Sequence, residues 1–187
     1  MGRATSQSFI PLNIVLLTVS NTRSIEQDTA GKLLVKLIVE SGHRIQERVI
    51  SKANLYQVRA QVANWIASES VQVVLIAGGT GLTHDDITPR AIEGLFDKQI
   101  NGFGELFRHV SYQQIGTSTL QSNALAGMAN GTLVVAMPGS PKACETAWQH
   151  ILVVLLDGSK VDTSKSSQNP SESTDEETQN STENIDN

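Results

Sequence analysis

Residues 71–89, VQVVLIAGGTGLTHDDITP, decide the fold. They open with the uninterrupted apolar run Val73-Val74-Leu75-Ile76-Ala77. Its length and β-branched content predict a strand buried on both faces. The run stops at Gly78-Gly79-Thr80-Gly81. A glycine-rich turn there lets the backbone approach a ligand closely and aim bare N–H groups at an anion. Asp85 and Asp86 follow, and Thr88-Pro89 reads as an N-cap with proline at the first helical position. Together these parts fit a phosphate site with a carboxylate at hand for a metal or a proton. A tight strand-to-helix turn with two solvated acids accounts for the same residues.

Working outward, residues 12–19 (LNIVLLTV) form a second run of this kind, ending in the polar turn Ser20-Asn21-Thr22-Arg23. Asp28-Thr29 precedes a helical pattern with Leu33, Leu34, Leu37 and Ile38 on one face and Ser41-Gly42 as its stop. Residues 43–50 read as a strand, and Asn54 caps a helix whose apolar face is Val58, Val62, Trp65 and Ile66. The resulting β-α-β-α-β series argues for a parallel sheet covered on both faces. Downstream, residues 89–96 read as a short helix, Gly102-Phe103-Gly104-Glu105 as a second glycine-rich turn and 106–114 as another helix. Thr117-Ser118 reads as the cap of a helix running to about Ala124. Asn130-Gly131 between the apolar runs 125–128 and 133–136 signals a hairpin, so one strand is expected to be antiparallel. The chain then passes through Met137-Pro138-Gly139-Ser140-Pro141, where Ser140 caps a last helix through Trp148 to Leu156. Two strands thus end in glycine-containing loops that run into helix N-termini. Ligands of open parallel sheets bind beyond that edge, where helix dipoles and unpaired N–H groups favour a phosphate.

Composition bounds the rest. A chain of 187 residues fits one domain with something left over. Residues 159–187 are mainly Ser, Thr, Asn, Gln and acid, with only Val161 and Ile185 as aliphatics, the composition of a disordered acidic tail. Of 14 basic and 19 acidic residues in the chain, 2 and 7 lie in that tail, which leaves 12 of each elsewhere. A neutral body argues against a nucleic-acid surface. The single cysteine, Cys144, excludes an intrachain disulfide and a cysteine metal cluster, and its expected place is inside a helix. No aliphatic run is long enough for a membrane span. Residues 1–10 lack an apolar signal core, so they read as a flexible leader, and the expected location is cytoplasmic.

Taken together, the motifs resemble the MoaB/MogA family of molybdenum-cofactor biosynthesis proteins. The matching pieces are Thr18-Val19-Ser20-Asn21, Asp28-Thr29-Ala30-Gly31, Gly78-Gly79-Thr80-Gly81 and Asp86-Ile87-Thr88-Pro89. Gly102-Phe103-Gly104-Glu105-Leu106-Phe107-Arg108, Ile115-Gly116-Thr117-Ser118 and Met137-Pro138-Gly139-Ser140 complete the set. The resemblance spans about residues 10–158, looks closest to the MoaB branch, and does not include the acidic tail. It implies an α/β molybdopterin-binding fold, a three-layer sandwich with a mostly parallel sheet, one antiparallel strand and helices on both faces. It implies a domain over residues 11–158 and assembly as a homotrimer or homohexamer. In the MogA branch it implies adenylylation, in which molybdopterin attacks the α-phosphate of Mg-ATP and releases pyrophosphate. Carried over residue by residue, Gly78, Gly79, Thr80 and Gly81 would cradle phosphate. Asp86, with Asp85 beside it, would serve catalysis, and Asp86 would bind Mg²⁺. Pro138, Gly139 and Ser140 would hold a second anionic group, Thr117, Ser118 and Ser122 would line the ligand site, and Glu105 would meet the pterin edge.

Two departures divide the functional readings. Ser122-Asn123-Ala124 stands where the family usually has Ser-Arg-Ala, so a bidentate phosphate donor is missing. Ser51-Lys52 stands where the MogA branch has Pro-Asp, which reverses the charge near the metal. One reading is an Mg-ATP-dependent molybdopterin adenylyltransferase. The alternative is a non-catalytic molybdopterin-binding carrier or oligomeric partner in the same pathway. Under either, arginine at position 123 is expected to tighten binding.

Overall fold

The computed structural model describes residues 9–157. The expected tail at 159–187 and the first eight residues of the expected leader lie outside them. The central apolar runs form β1 (Asn13–Val19), β3 (Val73–Ala77) and β6 (Thr132–Met137), which lie side by side and parallel. β2 (Arg44–Ser51) pairs with the outer side of β1, also parallel. On the other flank β5 (Leu125–Ala129) runs antiparallel to β6 and to the short β4 (Lys98–Gln99). The sheet order is β2-β1-β3-β6-β5-β4, six strands with β5 alone reversed.

Alternation along the central strands sorts the side chains into two cores. Ile14, Leu16, Val73, Leu75, Leu133 and Val135 face one side. There they meet Leu34 and Ile38 of α1 (Thr29–Glu40), Phe103 and Phe107 of α4 (Asn101–Ile115), and Trp148 and Leu152 after α5 (Pro141–Ala147). Val15, Leu17, Val74, Ile76, Val134 and Ala136 face the other side, against Val58, Val62 and Trp65 of α2 (Leu55–Ala67) and Ile92 of α3 (Thr88–Ile92). The result is the expected three-layer α/β sandwich. The Asn130-Gly131 hairpin is present, with φ of 47° and 70° at its two residues, the pair of positive values that a type I′ turn demands. The last helix is not uniform: after α5 the chain takes a π-helical turn at Trp148–Leu152 before α6 (Val153–Leu155). Among the described residues no helix is long and apolar enough to cross a membrane.

Three local expectations give way to packing, and one strand has no counterpart among them. Thr88 is the first residue of α3 and not its N-cap; Ile87 precedes the helix, and the Thr88 hydroxyl donates to the Gly78 carbonyl at 2.8 Å. Gly102-Phe103-Gly104-Glu105 is no turn but the first turn of α4. Gly104 is there because a Cβ would come within 2.5 Å of the Ala124 carbonyl oxygen, so its glycine marks close packing. Thr117 and Ser118 cap no α-helix; Gly116, at φ 59°, ends α4 and starts a 3₁₀ segment, Gly116–Gln121. The chain then enters β5. Finally, β4 is two exposed residues and leaves no periodic trace in the sequence.

One buried polar group ties the first units together. Asp28 is fully buried and caps α1, accepting from Gly31 N–H at 2.9 Å, from the Thr18 hydroxyl at 2.8 Å and from Arg48 Nη2 at 2.9 Å. Burial opposes its ionisation, but the Arg48 guanidinium, the Gly31 N–H and the Thr18 hydroxyl outweigh that and hold the carboxyl below its usual range. A carboxyl lowered in the folded state contributes stability that is complete above its unfolded value and fades as pH falls through the lower folded value. Asp28→Asn is therefore expected to cost about 3 kcal/mol at neutral pH, because Arg48 loses its counter-charge. It should also flatten the loss of stability on the acid side of the carboxylate range. Urea titrations of both proteins across that range would show it; an unchanged acid-side slope in the variant would refute the assignment. Cys144 is buried in α5, as expected, and donates to the Pro138 carbonyl at 3.4 Å. Burial pushes its thiol up to about 12, Asp28 adding in the same direction and Arg23 opposing. Iodoacetamide is expected to label it only after denaturation; rapid labelling of the native chain would contradict this packing.

Candidate functional site

The carboxyl ends of β1, β2, β3 and β6 bring four loops to one edge. The loop after β3 is organised by its carbonyl groups. Gly78 O accepts from the Thr88 hydroxyl and Gly79 O from Thr88 N–H at 2.9 Å. Thr80 O accepts from Asn123 N–H at 2.8 Å and Gly81 O from Asn123 Nδ2 at 2.9 Å. Four consecutive oxygens are thus engaged by protein donors, the last of them at the surface. Gly78 and Gly79 adopt φ of 103° and 66°, which residues with a Cβ rarely enter, and at Gly78 a Cβ would also strike the Val19 carbonyl. Of the N–H groups, Gly78 donates to Met137 O at 2.9 Å and Gly81 to the Asp86 carboxylate. Among the described residues the N–H groups of Gly79 and Thr80 have no acceptor.

Asp86 closes the loop. Its Oδ2 accepts from Thr83 N–H at 2.8 Å and from the Thr83 hydroxyl at 2.6 Å. Burial is the largest single influence and raises its pKa, but the Thr83 hydroxyl and the Gly81 and Thr83 N–H groups together outweigh it and hold the carboxyl below its ordinary value. Asp85 turns elsewhere: its Oδ2 accepts from Asn21 Nδ2 at 3.1 Å, while Asn21 Oδ1 accepts from Ala53 N–H at 2.9 Å. Asn21 therefore joins the loops after β1, β2 and β3. Among the described residues no three His, Cys, Asp or Glu side chains gather as a self-contained metal cage. One or two carboxylates with phosphate oxygens completing the shell is the usual Mg²⁺ arrangement; Asp86 alone would fit the one-carboxylate form, since Asp85 is turned to Asn21.

The second loop abuts the first. A Cβ on Gly139 would lie 3.0 Å from the Gly78 Cα, so the two glycine loops touch. Arg23 Nη1 donates to Gly139 O at 2.9 Å, and Ser140 caps α5 as expected, accepting from Ala143 N–H at 3.2 Å. Between these loops, α4 and α5 opens a cleft of about 280 Å³. Of the expected site residues, Thr80, Gly81, Ser118, Ser122, Pro138 and Ser140 line it. Ser122 Oγ is buried and has no hydrogen-bond partner among the described residues. A buried orphan hydroxyl in a cleft wall is the kind of group a ligand satisfies.

Gly78, Gly79 and Gly139 stand in the touching loops and do not line the cleft, and Thr117 is exposed outside it. Asp85 is exposed and Asp86 half-buried, and neither lines the cleft. Glu105 is not brought to it either. It faces a separate groove of about 300 Å³ with Arg108 and Asn123, so residues 122 and 123 face two different openings. The sequence reading missed Lys142, Phe107 and the Gln114–Thr146 pair, bonded at 2.9 Å, all lining the cleft. It also missed Arg23 as an anchor of the second loop. Lys142, next to Pro141 in a helix start on the ligand edge, carried a signal of position; Arg23, 116 residues from its partner, carried none.

The family described as "Probable molybdopterin binding domain" matches residues 15–158. Molybdenum cofactor biosynthesis protein B of Escherichia coli (strain K12) is 56% identical over 152 residues, 81% of this chain and 89% of that protein. A crystal structure of Molybdenum cofactor biosynthesis protein B superposes with a TM-score of 0.80 at 35% identity, covering 86% of this chain and all of the other. The tungsten cofactor synthesizing protein MoaB from Pyrococcus furiosus superposes with a TM-score of 0.72 at 29% identity, covering 82% and 98%. With its fold and nearly all of its described length accounted for in this way, the chain belongs to the MoCF_biosynth family of molybdenum cofactor biosynthesis proteins.

Proposed function

We propose that the edge cleft binds molybdopterin, its phosphate seated on the loop at residues 78–81, and that the chain adenylylates it with Mg-ATP. The observation that carries this reading is the loop's carbonyl arrangement. With all four oxygens engaged by protein donors, an approaching anion meets N–H groups rather than lone pairs. The family match and the names of the relatives supply the pterin; the orphan Ser122 hydroxyl and Lys142 give the cleft further groups for a polar ligand. In the reaction a molybdopterin phosphate oxygen bonds to the α-phosphorus of ATP while the bond from that phosphorus to the bridging oxygen breaks, and pyrophosphate leaves with the electron pair. Such transfer is mostly positioning and charge stabilisation. Thr80 and Gly81 would hold one phosphate group and Ser140 and Lys142 the other. Asp86, with Asp85 near it, would hold Mg²⁺, which when bound neutralises phosphate charge.

A second reading, a molybdopterin-binding carrier without turnover, draws on a specific observation. The Asp86 carboxylate is already occupied by Thr83 and Gly81, Asp85 is held by Asn21, and Lys52 is a cation on the same edge. The proposed assembly is a homotrimer or homohexamer, supported by the exposed Leu106, Tyr112, Ile115 and Leu120 on α4 and the segment after it.

Calorimetric titration of molybdopterin with and without Mg-ATP, followed by a pyrophosphate-release assay, separates the readings. Binding with release supports the enzyme, and Asp86→Asn is then expected to lower turnover at least a hundredfold while thermal unfolding stays cooperative. Normal turnover in that variant would remove Asp86 from the chemistry. Binding without release selects the carrier, and absence of binding overturns both.

A further inference from the structure

The four engaged carbonyls of the loop at 78–81 are held unequally. Thr88 takes two of them through its hydroxyl and its N–H, and α3 fixes Thr88. The backbone N–H of residue 123 takes the third, a bond that any residue but proline could make. Only the fourth, Gly81 O, depends on a side chain from outside the loop and its own helix: Asn123 Nδ2, at 2.9 Å. Among the described residues no peptide bond is cis, so each carbonyl points opposite to the N–H of the next residue. The bond to Gly81 O therefore sets the direction of the Leu82 N–H. That N–H, like those of Gly79 and Thr80, has no acceptor among the described residues, and Leu82 is 70% exposed.

We propose that Asn123 is a positioning residue for the anion loop, pinning the peptide between Gly81 and Leu82 so that the Leu82 N–H joins those of Gly79 and Thr80 as a third donor to bound phosphate. The inference rests on the phosphate-binding reading of the loop. It assigns a task to the amide that stands where an arginine was expected. An arginine there would carry charge to the ligand directly; this amide acts through the backbone, from the side of the neighbouring groove that it shares with Arg108. Asn123→Arg is accordingly an exchange of one device for another and not a simple restoration.

The test uses the full chain, isotopically labelled, titrated with inorganic pyrophosphate while backbone amide shifts are followed. In the wild type the Gly79, Thr80 and Leu82 amides are expected to move together. In Asn123→Ala, Leu82 loses its response while Gly79 and Thr80, held by Thr88, keep theirs, and pyrophosphate binds roughly five- to tenfold more weakly. Asn123→Asp, of the same shape but without the donor, is expected to lose the Leu82 response in the same way. Leu82 responding in both variants as it does in the wild type overturns the proposal. No response at Gly79 and Thr80 in the wild-type chain overturns the phosphate-loop reading itself, and this proposal with it.

Discussion

Strands that are apolar on both faces leave no room for polar chemistry in the body of a sheet. β1, β3 and β6 are buried along nearly their whole length, and their alternate residues feed two separate cores. An unpaired polar side chain placed among them would cost several kcal/mol. Polar groups are therefore displaced to the strand ends, and because the strands are parallel, four of those ends share one edge. The one buried carboxylate among the described residues shows the terms on which burial of charge is allowed. Asp28 is fully buried, yet every donor it needs is supplied by β1, by its own helix and by β2. It locks together the first three elements of the fold, directly behind the loop that carries Asn21 and Arg23.

The architecture was legible because its signals are periodic or local. Two-sided apolar runs, Asp28 and Asn54 as caps, the Asn-Gly hairpin and Ser140 before Pro141 each act within a few residues, and each does in the structure what its chemistry predicts. The failures share a different cause. Glycine signals turns locally, but Gly104 is glycine so that Ala124 can approach, a contact across 20 residues of chain. Threonine before proline predicts a cap at Thr88; the carbonyl of Gly78, ten residues back, takes its hydroxyl instead. Long-range demands override local preference where the backbone has orphan groups to satisfy.

The candidate site was legible by address more than by residue. The edge, the two glycine loops and half a dozen lining residues follow from the strand pattern and motif order. The roles of individual side chains do not, because they depend on which of two openings a residue faces. Ser122 and Asn123 are neighbours in sequence, yet one lines the cleft and the other the adjoining groove. Glu105 goes with the groove for the same reason: its place on α4 is fixed by Phe103 and Phe107, which must enter the core.

The contact between Gly139 and Gly78 has a dynamic meaning. Two loops that meet backbone to backbone, with Arg23 bracing one and Thr88 the other, have little freedom to rearrange separately. Their ordering entropy is spent when the chain folds rather than when a ligand arrives. A ligand bound at this edge, as proposed, would meet a rigid key seat more than a closing hand. Encounter rate, set by diffusion and the local field, would then govern association, and lifetime of the complex would be the quantity on which substitutions in these loops act.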